Sequence, residues 1–153
     1  MAEEHAANET DPSRSMMARA NGGASVLVAA RPGSWRDALQ ATLVEIPRIA
    51  MIHVANDAAS VFHKVATHCP DLVLLDVDLP GGCAWTFFHE LGTVCPHARL
   101  LVLADRLPEV EVSAMVLADA VVIKGSPATA LFEALESLLP GRDALGRESG
   151  LAD

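Results

Sequence analysis

The chain has 153 residues, of which 51% are hydrophobic and 20% charged, and its formal net charge at pH 7 is −9. This length and apolar share predict one globular domain with its own core and exclude an intrinsically disordered chain. The negative charge disfavours direct nucleic-acid binding, and no apolar run reaches the roughly 18 to 20 residues needed to cross a bilayer.

Residues 1–23 mix charged residues with Ala, Asn and Gly at no sustained period, and residues 140–153 have the same character. Both segments are therefore predicted to be flexible tails around a domain at residues 24–139. Within that domain, five short apolar runs predict strands that are buried on both faces, because they lack in/out alternation. The runs are Val26–Ala30, Ile49–Val54, Leu72–Val77, Arg99–Leu103 and Ala120–Ile123.

Helical patterns lie between these strands. Ser34 with Asp37 predicts a capping box at the start of the first helix, and Asp57 is expected to cap the second. Strand and helix thus alternate five times, which predicts an α/β fold: a flavodoxin-like, doubly wound, five-stranded parallel sheet of order 2-1-3-4-5 with helices on both faces. The other three helices are predicted over Ala84–Leu91, from Pro108, and from Ser126.

The three cysteines, Cys69, Cys83 and Cys95, form an odd set without CxxC spacing, which argues against a disulfide framework and against a zinc ribbon. They are interpreted as small buried hydrophobic residues. His63 and His68 do not share a helix face, so no metal site is predicted beside Cys69. The sequence also lacks nucleotide-binding glycine patterns and hydrolase motifs, and we predict no enzymatic activity.

Two segments resemble the receiver domain of bacterial two-component response regulators, and the resemblance extends over roughly residues 24–139. DLVLLDVDLPGG, residues 71–82, is similar to the family's third-strand signature, in which an Asp ends the strand and Pro-Gly follows four and five residues later. VVIKGSPATALFEAL, residues 121–135, is similar to the fifth-strand Lys followed by a Ser-Pro helix start. The resemblance implies that Asp76 occupies the phosphoacceptor position and Lys124 the position of the ammonium that contacts the phosphate.

Other positions depart from the family pattern. The two acids that hold Mg²⁺ in the family fall on Ala30 and Arg31, neither of which can bind that ion. The hydroxyl position falls on Ala104, and the aromatic switch position in the fifth strand falls on Val121. The chain therefore resembles an atypical receiver, or pseudo-receiver, with lost or weak Mg²⁺ binding and no other cofactor. Arg31 is expected either to lie beside Asp76 in place of the ion or to point into solvent.

These expectations lead to three hypotheses about function. In the first, a stand-alone cytoplasmic receiver, with no room for an effector domain, regulates a sensor kinase or a downstream regulator through the predicted fourth helix, fifth strand and fifth helix. That face is also the one expected to form a homodimer. In the second, Asp76 accepts phosphate from a histidine kinase in a phosphorelay, with Asp78 or Asp105 as a replacement metal ligand. The third is a small α/β enzyme or ligand-binding protein that uses the crevice at the strand ends.

Overall fold

The computed structural model describes residues 23–79, 81, 85–105 and 118–139, with side chains omitted at 85–88. Residues 1–22 and 140–153 of the two predicted tails lie outside the described residues, as does the predicted fourth helix that begins at Pro108. The helices within the described ranges are too short or too polar to span a membrane.

Strands and helices alternate along the described chain. Each predicted strand is present, and β1 shows the largest difference because it begins two residues before the predicted Val26. The elements are β1 Ala24–Ala29, α1 Ser34–Val44, β2 Ile49–Ala55, α2 Ala58–His68, β3 Leu72–Asp76, α3 Trp85–Val94, β4 Arg99–Ala104, β5 Ala120–Ile123 and α4 Ala128–Leu138. The predicted fifth helix is α4 in this numbering.

All five strands are parallel and lie in the order β2-β1-β3-β4-β5, so the predicted flavodoxin-like sheet is confirmed. Val28 of β1 is in register with Val54 on one side and with Leu74 on the other. The chain therefore moves from β1 to β2 in one direction and then crosses to β3 on the opposite side. Such a reversal opens a crevice at the carboxyl ends of β1 and β3, which is where ligands and switches gather in sheets of this type.

Each face of the sheet is covered by helices, which explains why the strands show no polar alternation. One hydrophobic layer lies under α2 and α3, and the other lies under α1 and α4. The first includes Leu27, Leu75 and Val102 from the strands with Val61, Val65 and Leu91 from the helices. The second includes Val28, Leu74 and Leu101 from the strands with Leu39, Leu43, Leu135 and Leu138 from the helices.

The helix starts agree with the sequence in one case and differ in another. Asp57 caps α2 as predicted: its Oδ1 accepts a hydrogen bond from the Ser60 N–H at 2.9 Å, and Ser60 Oγ completes a capping box. The predicted Ser34 cap is wrong. Gly33 is the N-cap of α1 and accepts from the Asp37 N–H at 3.0 Å, so Ser34 already lies inside the first turn.

The interpretation of Cys69 and Cys95 as unpaired residues is also wrong, because the two are joined by a disulfide with a Cα–Cα distance of 5.8 Å. They lie 26 residues apart in no recognisable motif. Only the fold brings them together, by placing the C-terminal ends of α2 and α3 side by side. Cys95 is buried, as expected, and Cys83 lies outside the described residues.

Candidate functional site

The carboxyl edge of the sheet brings together the residues singled out from the sequence. Asp76 is the last residue of β3, and Ala30 follows β1 directly. Lys124 follows β5, and its backbone N–H donates to the Ala104 carbonyl at 2.8 Å. Since β4 separates β3 from β5, the Lys124 side chain reaches across the end of β4 to Asp76.

Both carboxylate oxygens of Asp76 accept hydrogen bonds. Oδ2 lies 2.8 Å from the Lys124 ammonium, and Oδ1 accepts from the Asp78 backbone N–H at 2.8 Å. The pair is enclosed, with side-chain exposures of 5% for Asp76 and 14% for Lys124. Solvent screens such an enclosed ion pair only weakly, so the attraction between the two charges is strong. The additional hydrogen bond to Asp76 helps to offset the free energy lost when both charges leave water.

The environment of Lys124 favours its charged form. Burial of the ammonium acts to lower the pKa of Lys124, but the hydrogen bond and charge of Asp76, together with the charges of Asp105 and Asp78, outweigh burial and raise that pKa above its ordinary value. The nearer Asp78 oxygen lies 3.7 Å from Nζ. The Trp35 ring, with its centroid 5.0 Å from Nζ, adds a cation–π contact. Lys124 is therefore a fixed cation at this edge.

Arg31 is exposed, and its guanidinium makes a contact that was not predicted from the sequence. It donates to the main-chain carbonyl of Asp78 at 2.9 Å, and it forms no ion pair with Asp76 within the described part of the chain. The bond ties the segment after β1 to the loop after β3. Ala30 is buried, and its carbonyl accepts from the Arg36 guanidinium at 3.1 Å. At these two positions, the structure thus has a buried methyl group and a cation that binds backbone.

The two predicted switch positions lie on neighbouring strands. Ala104 ends β4 fully buried, and its side chain carries no hydroxyl. Val121 of β5 is in register with Val102 and packs partly buried against the hydrophobic layer under α2 and α3. Neither side chain can donate a hydrogen bond to a group held at Asp76.

A surface cavity of about 490 Å³ opens over this edge. Its side chains carry three cationic groups and two carboxylates, which leaves the cavity without a strong net charge. The lining residues are Arg31, Pro32, Gly33, Ser34, Trp35, Arg36, Asp76, Asp78 and Lys124. Trp35 and Arg36 were not predicted from the sequence to line this site. Their place in the first turn of α1, directly after the β1 carboxyl end, was the available signal, since that turn always lies at this edge.

The described residues around Asp76 supply few side-chain oxygens for Mg²⁺. That ion prefers an octahedron of oxygen ligands and retains several waters. Here the two Asp76 oxygens bind the Lys124 ammonium and the Asp78 N–H, and the Asp78 carbonyl binds Arg31. Ala30 offers no side-chain oxygen. In the described residues, the Asp76 carboxylate is thus paired with Lys124, and the Asp78 carboxylate and the Ser34 hydroxyl are the other side-chain oxygens that line this cavity.

Gly81 gives a physical reason for the Pro-Gly step after Asp76. Its φ of +97° lies in the region that side chains rarely adopt, and a Cβ there would lie 2.9 Å from the Cβ of Ala58. The loop therefore passes close to the start of α2. The turn begins at Asp76 itself, whose carbonyl accepts from the Leu79 N–H at 3.0 Å.

The comparisons with known proteins found similarity to solved structures alone. No protein-family model and no curated protein matches the chain. Among solved structures, the response regulator TrrA of Thermotoga maritima, in complex with Mg²⁺-BeF, is 23% identical, with a TM-score of 0.68 and coverage of 76% of this chain and 99% of that one.

Two further solved structures resemble the chain in fold at similarly low sequence identity. A LuxR-family two-component response regulator from Aurantimonas sp. is 21% identical over 76% of this chain and 85% of that one, with a TM-score of 0.67. A CheY-like receiver domain from Methylobacillus flagellatus is 16% identical over 76% and 98%, with a TM-score of 0.63. The chain therefore has the fold of response regulator receiver domains.

Proposed function

We propose that this chain is an atypical receiver domain, which acts in signal transduction through contacts with other proteins and does not use Mg²⁺-dependent phosphorylation. The observation that carries the proposal is the enclosed Asp76–Lys124 ion pair, in which both Asp76 oxygens already accept hydrogen bonds. Ala30 and Arg31, at the neighbouring strand end, supply no ligand for a metal.

The chemistry of phosphoryl transfer explains why this arrangement disfavours phosphorylation. A carboxylate nucleophile needs a free oxygen aimed at phosphorus, and a metal ion would align the donor and neutralise its charge. In this site Lys124 and the Asp78 N–H occupy the Asp76 oxygens, and Arg31 holds the Asp78 carbonyl. In the proposed function this contact stays closed, and the domain presents one surface to its partner constitutively.

The proposed contact surface is the face that contains β5 and α4. β5 is the last strand of the described sheet, and α4 packs beside it. Phe132 on α4 is 40% exposed although Leu135 and Leu138 on the same helix are buried. We propose that the exposed Phe132 ring and the strand beside it contact a protein partner, which would be a sensor kinase, a downstream regulator or a second copy of the chain. We propose no nucleic-acid contact and no enzymatic activity for this domain.

A second candidate function is phosphorylation of Asp76 by a histidine kinase. It is favoured by the carboxylates of Asp78 and Asp105, both close enough to Lys124 to raise its pKa. If Lys124 turned away from Asp76, these two acids would be the oxygen ligands available to a metal at this edge. This candidate requires the ion pair to open, whereas the first requires it to stay closed.

The test is incubation of the full chain with acetyl phosphate and Mg²⁺, followed by intact-mass analysis. We expect no Mg²⁺-dependent phosphoryl adduct on the parent protein, and the Asp76→Asn variant is the matched control for adducts at other residues. A parent adduct that requires Mg²⁺ and disappears in Asp76→Asn would reject the proposal in favour of the second candidate.

A further inference from the structure

The Cys69–Cys95 disulfide lies at the amino ends of the strands, whereas Asp76 lies at their carboxyl ends. Cys69 is the C-cap of α2 and precedes β3, and Cys95 follows α3 and precedes β4. The bond therefore ties the ends of two helices that cover the same face. The bond shares no residue with the Asp76–Lys124 pair, so its chemistry does not depend on the proposed function.

The two cysteines of this bond differ in burial and in surroundings. Cys95 is 1% exposed, whereas Cys69 is half-buried. The exposed His97 ring lies beside the buried sulfur, with its two nitrogens 3.7 and 3.8 Å from Cys95 Sγ. A cationic or N–H-donating imidazole beside a sulfur stabilises a thiolate. The less buried cysteine and the cysteine whose sulfur lies beside an imidazole are therefore different residues.

We propose that Cys69 and Cys95 form a reversible thiol–disulfide site with a fixed direction of opening, in which a reductant attacks Cys69 and Cys95 leaves beside His97. The co-reactant is a thiol or dithiol reductant of the glutathione or thioredoxin class. Its thiolate forms a bond to Cys69 Sγ as the Cys69–Cys95 bond breaks, and the electron pair goes to Cys95 as a thiolate.

A second thiolate of the reductant then attacks the reductant sulfur of the mixed disulfide and releases Cys69 as a thiolate. Two electrons have entered the cysteine pair, the reductant has become a disulfide, and the two thiolates take up protons from water. Reduction removes the covalent tie between the ends of α2 and α3 and leaves the Asp76 edge chemically unchanged. A reducing compartment would hold the pair open, and an oxidising one would hold it closed.

The first experiment tests the pair itself. After equilibration with oxidised glutathione, the full chain is denatured in acid, alkylated and mapped by peptide mass. We expect one alkylated residue, Cys83, and a linked peptide that joins Cys69 to Cys95, with all three cysteines alkylated after dithiothreitol. Free Cys69 and Cys95 after oxidation, or a bond from either to Cys83, would overturn the assignment.

The second experiment tests the direction of attack and the role of His97. Oxidised protein is treated with reduced glutathione and quenched in acid, and the mixed disulfide is expected on Cys69. Glutathione on Cys95 would overturn the direction. His97→Gln should slow this step by roughly threefold or more, and His97→Lys, which places an ammonium beside the leaving sulfur, should recover most of the rate. Equal rates in the parent and His97→Gln would remove His97 from the site, and since His97 is exposed both variants are expected to fold.

Discussion

Lys124 Nζ lies 2.8 Å from Asp76 Oδ2, so a single side chain connects the end of β5 to the end of β3 across β4. Both side chains of this contact are largely buried. They stand at the two positions where the sequence resembles a phosphate-binding site. In such a pair the desolvated charges depend on each other, because removing either leaves the other buried without compensation. The first two predictions follow from this dependence.

Lys124→Met should lower the free energy of unfolding at neutral pH by about 3 kcal/mol, since the Asp76 carboxylate stays buried without its cation. The chain contains one other lysine, Lys64 on α2. Lys64→Met is therefore the matched control and should cost about 1 kcal/mol or less. Urea denaturation of the three proteins measures both values. Equal losses in the two variants would contradict a special role for the Asp76–Lys124 pair.

The same pair predicts a loss of stability in alkali. Because the folded state raises the pKa of Lys124, the contribution of its charge is fully present below the unfolded-state value, near 10.5, and is lost as pH rises through the folded-state pKa. The chain has no tyrosine, and a Cys83→Ser background removes the thiol that is not in the disulfide. In that background, stability should fall more steeply above this pH with Lys124 present than with Lys124→Met, as urea midpoints measure. Parallel curves would reject the linkage.

The Asp57 cap of α2 is expected to lose its contribution to folding stability at low pH. Hydrogen bonds from the Ser60 backbone and side chain lower the pKa of Asp57, so its contribution is present above the model-peptide value of 3.8 and is lost as pH falls through the folded-state value. Asp57→Ala should lower the thermal midpoint at neutral pH, and Asp57→Asn should retain most of the cap without its titration. The difference between the parent and Asp57→Asn should shrink on acidification. A difference that stays constant with pH would contradict the assignment.

The disulfide predicts a loss of stability on reduction. The bond closes a loop of 26 residues, which raises the free energy of the unfolded chain by roughly 3 to 4 kcal/mol at 25 °C. The Cys69→Ser, Cys95→Ser double variant should therefore unfold at lower urea than the oxidised parent and close to the reduced parent. Cys83→Ser, which leaves the bond intact, is the control. A double variant as stable as the oxidised parent would show that the bond does not contribute to stability.

The sheet order and strand positions were predictable because periodicity and chain order depend on local sequence. Apolar runs without alternation, such as Leu72–Val77, are typical of strands buried on both faces, and that pattern led to the prediction of a doubly wound sheet. The proximity of Asp76 and Lys124 was expected from the resemblance. The Ser34 cap was wrong because Ser and Gly compete for the N-cap, and the extended Gly33 backbone starts the helix one residue earlier.

Contacts between distant segments were less predictable. The bond between Cys69 and Cys95 depends on where two helices end, and the hydrogen bond from Arg31 to the Asp78 carbonyl depends on the path of a loop. A sequence shows the charge of Arg31 but not that its partner is a backbone oxygen. Long side chains reach several neighbours, and only the packed loop determines which one is bound.

Two acids can be introduced at the end of β1. Ala30→Asp with Arg31→Asp places two carboxylates near Asp76 and removes the hydrogen bond from Arg31 to the Asp78 carbonyl. Without metal, this double variant should be less stable than the parent, because like charges crowd a poorly hydrated site. Mg²⁺ should then stabilise it, by about 2.7 kcal/mol when the free ion exceeds its dissociation constant a hundredfold. The parent should gain nothing from the same ion.

Arg31→Ala separates the two effects, because it removes the hydrogen bond without adding an acid and should not respond to Mg²⁺. Adding Asp76→Asn to the double variant should weaken its response, since Asp76 becomes a ligand in that design. Thermal midpoints with and without millimolar Mg²⁺, together with amide chemical shifts around Asp76, measure these effects. A saturable shift in the parent at the same concentrations would mean that the ion pair opens for a metal, and Asp76 would then have to be reconsidered as a phosphoacceptor.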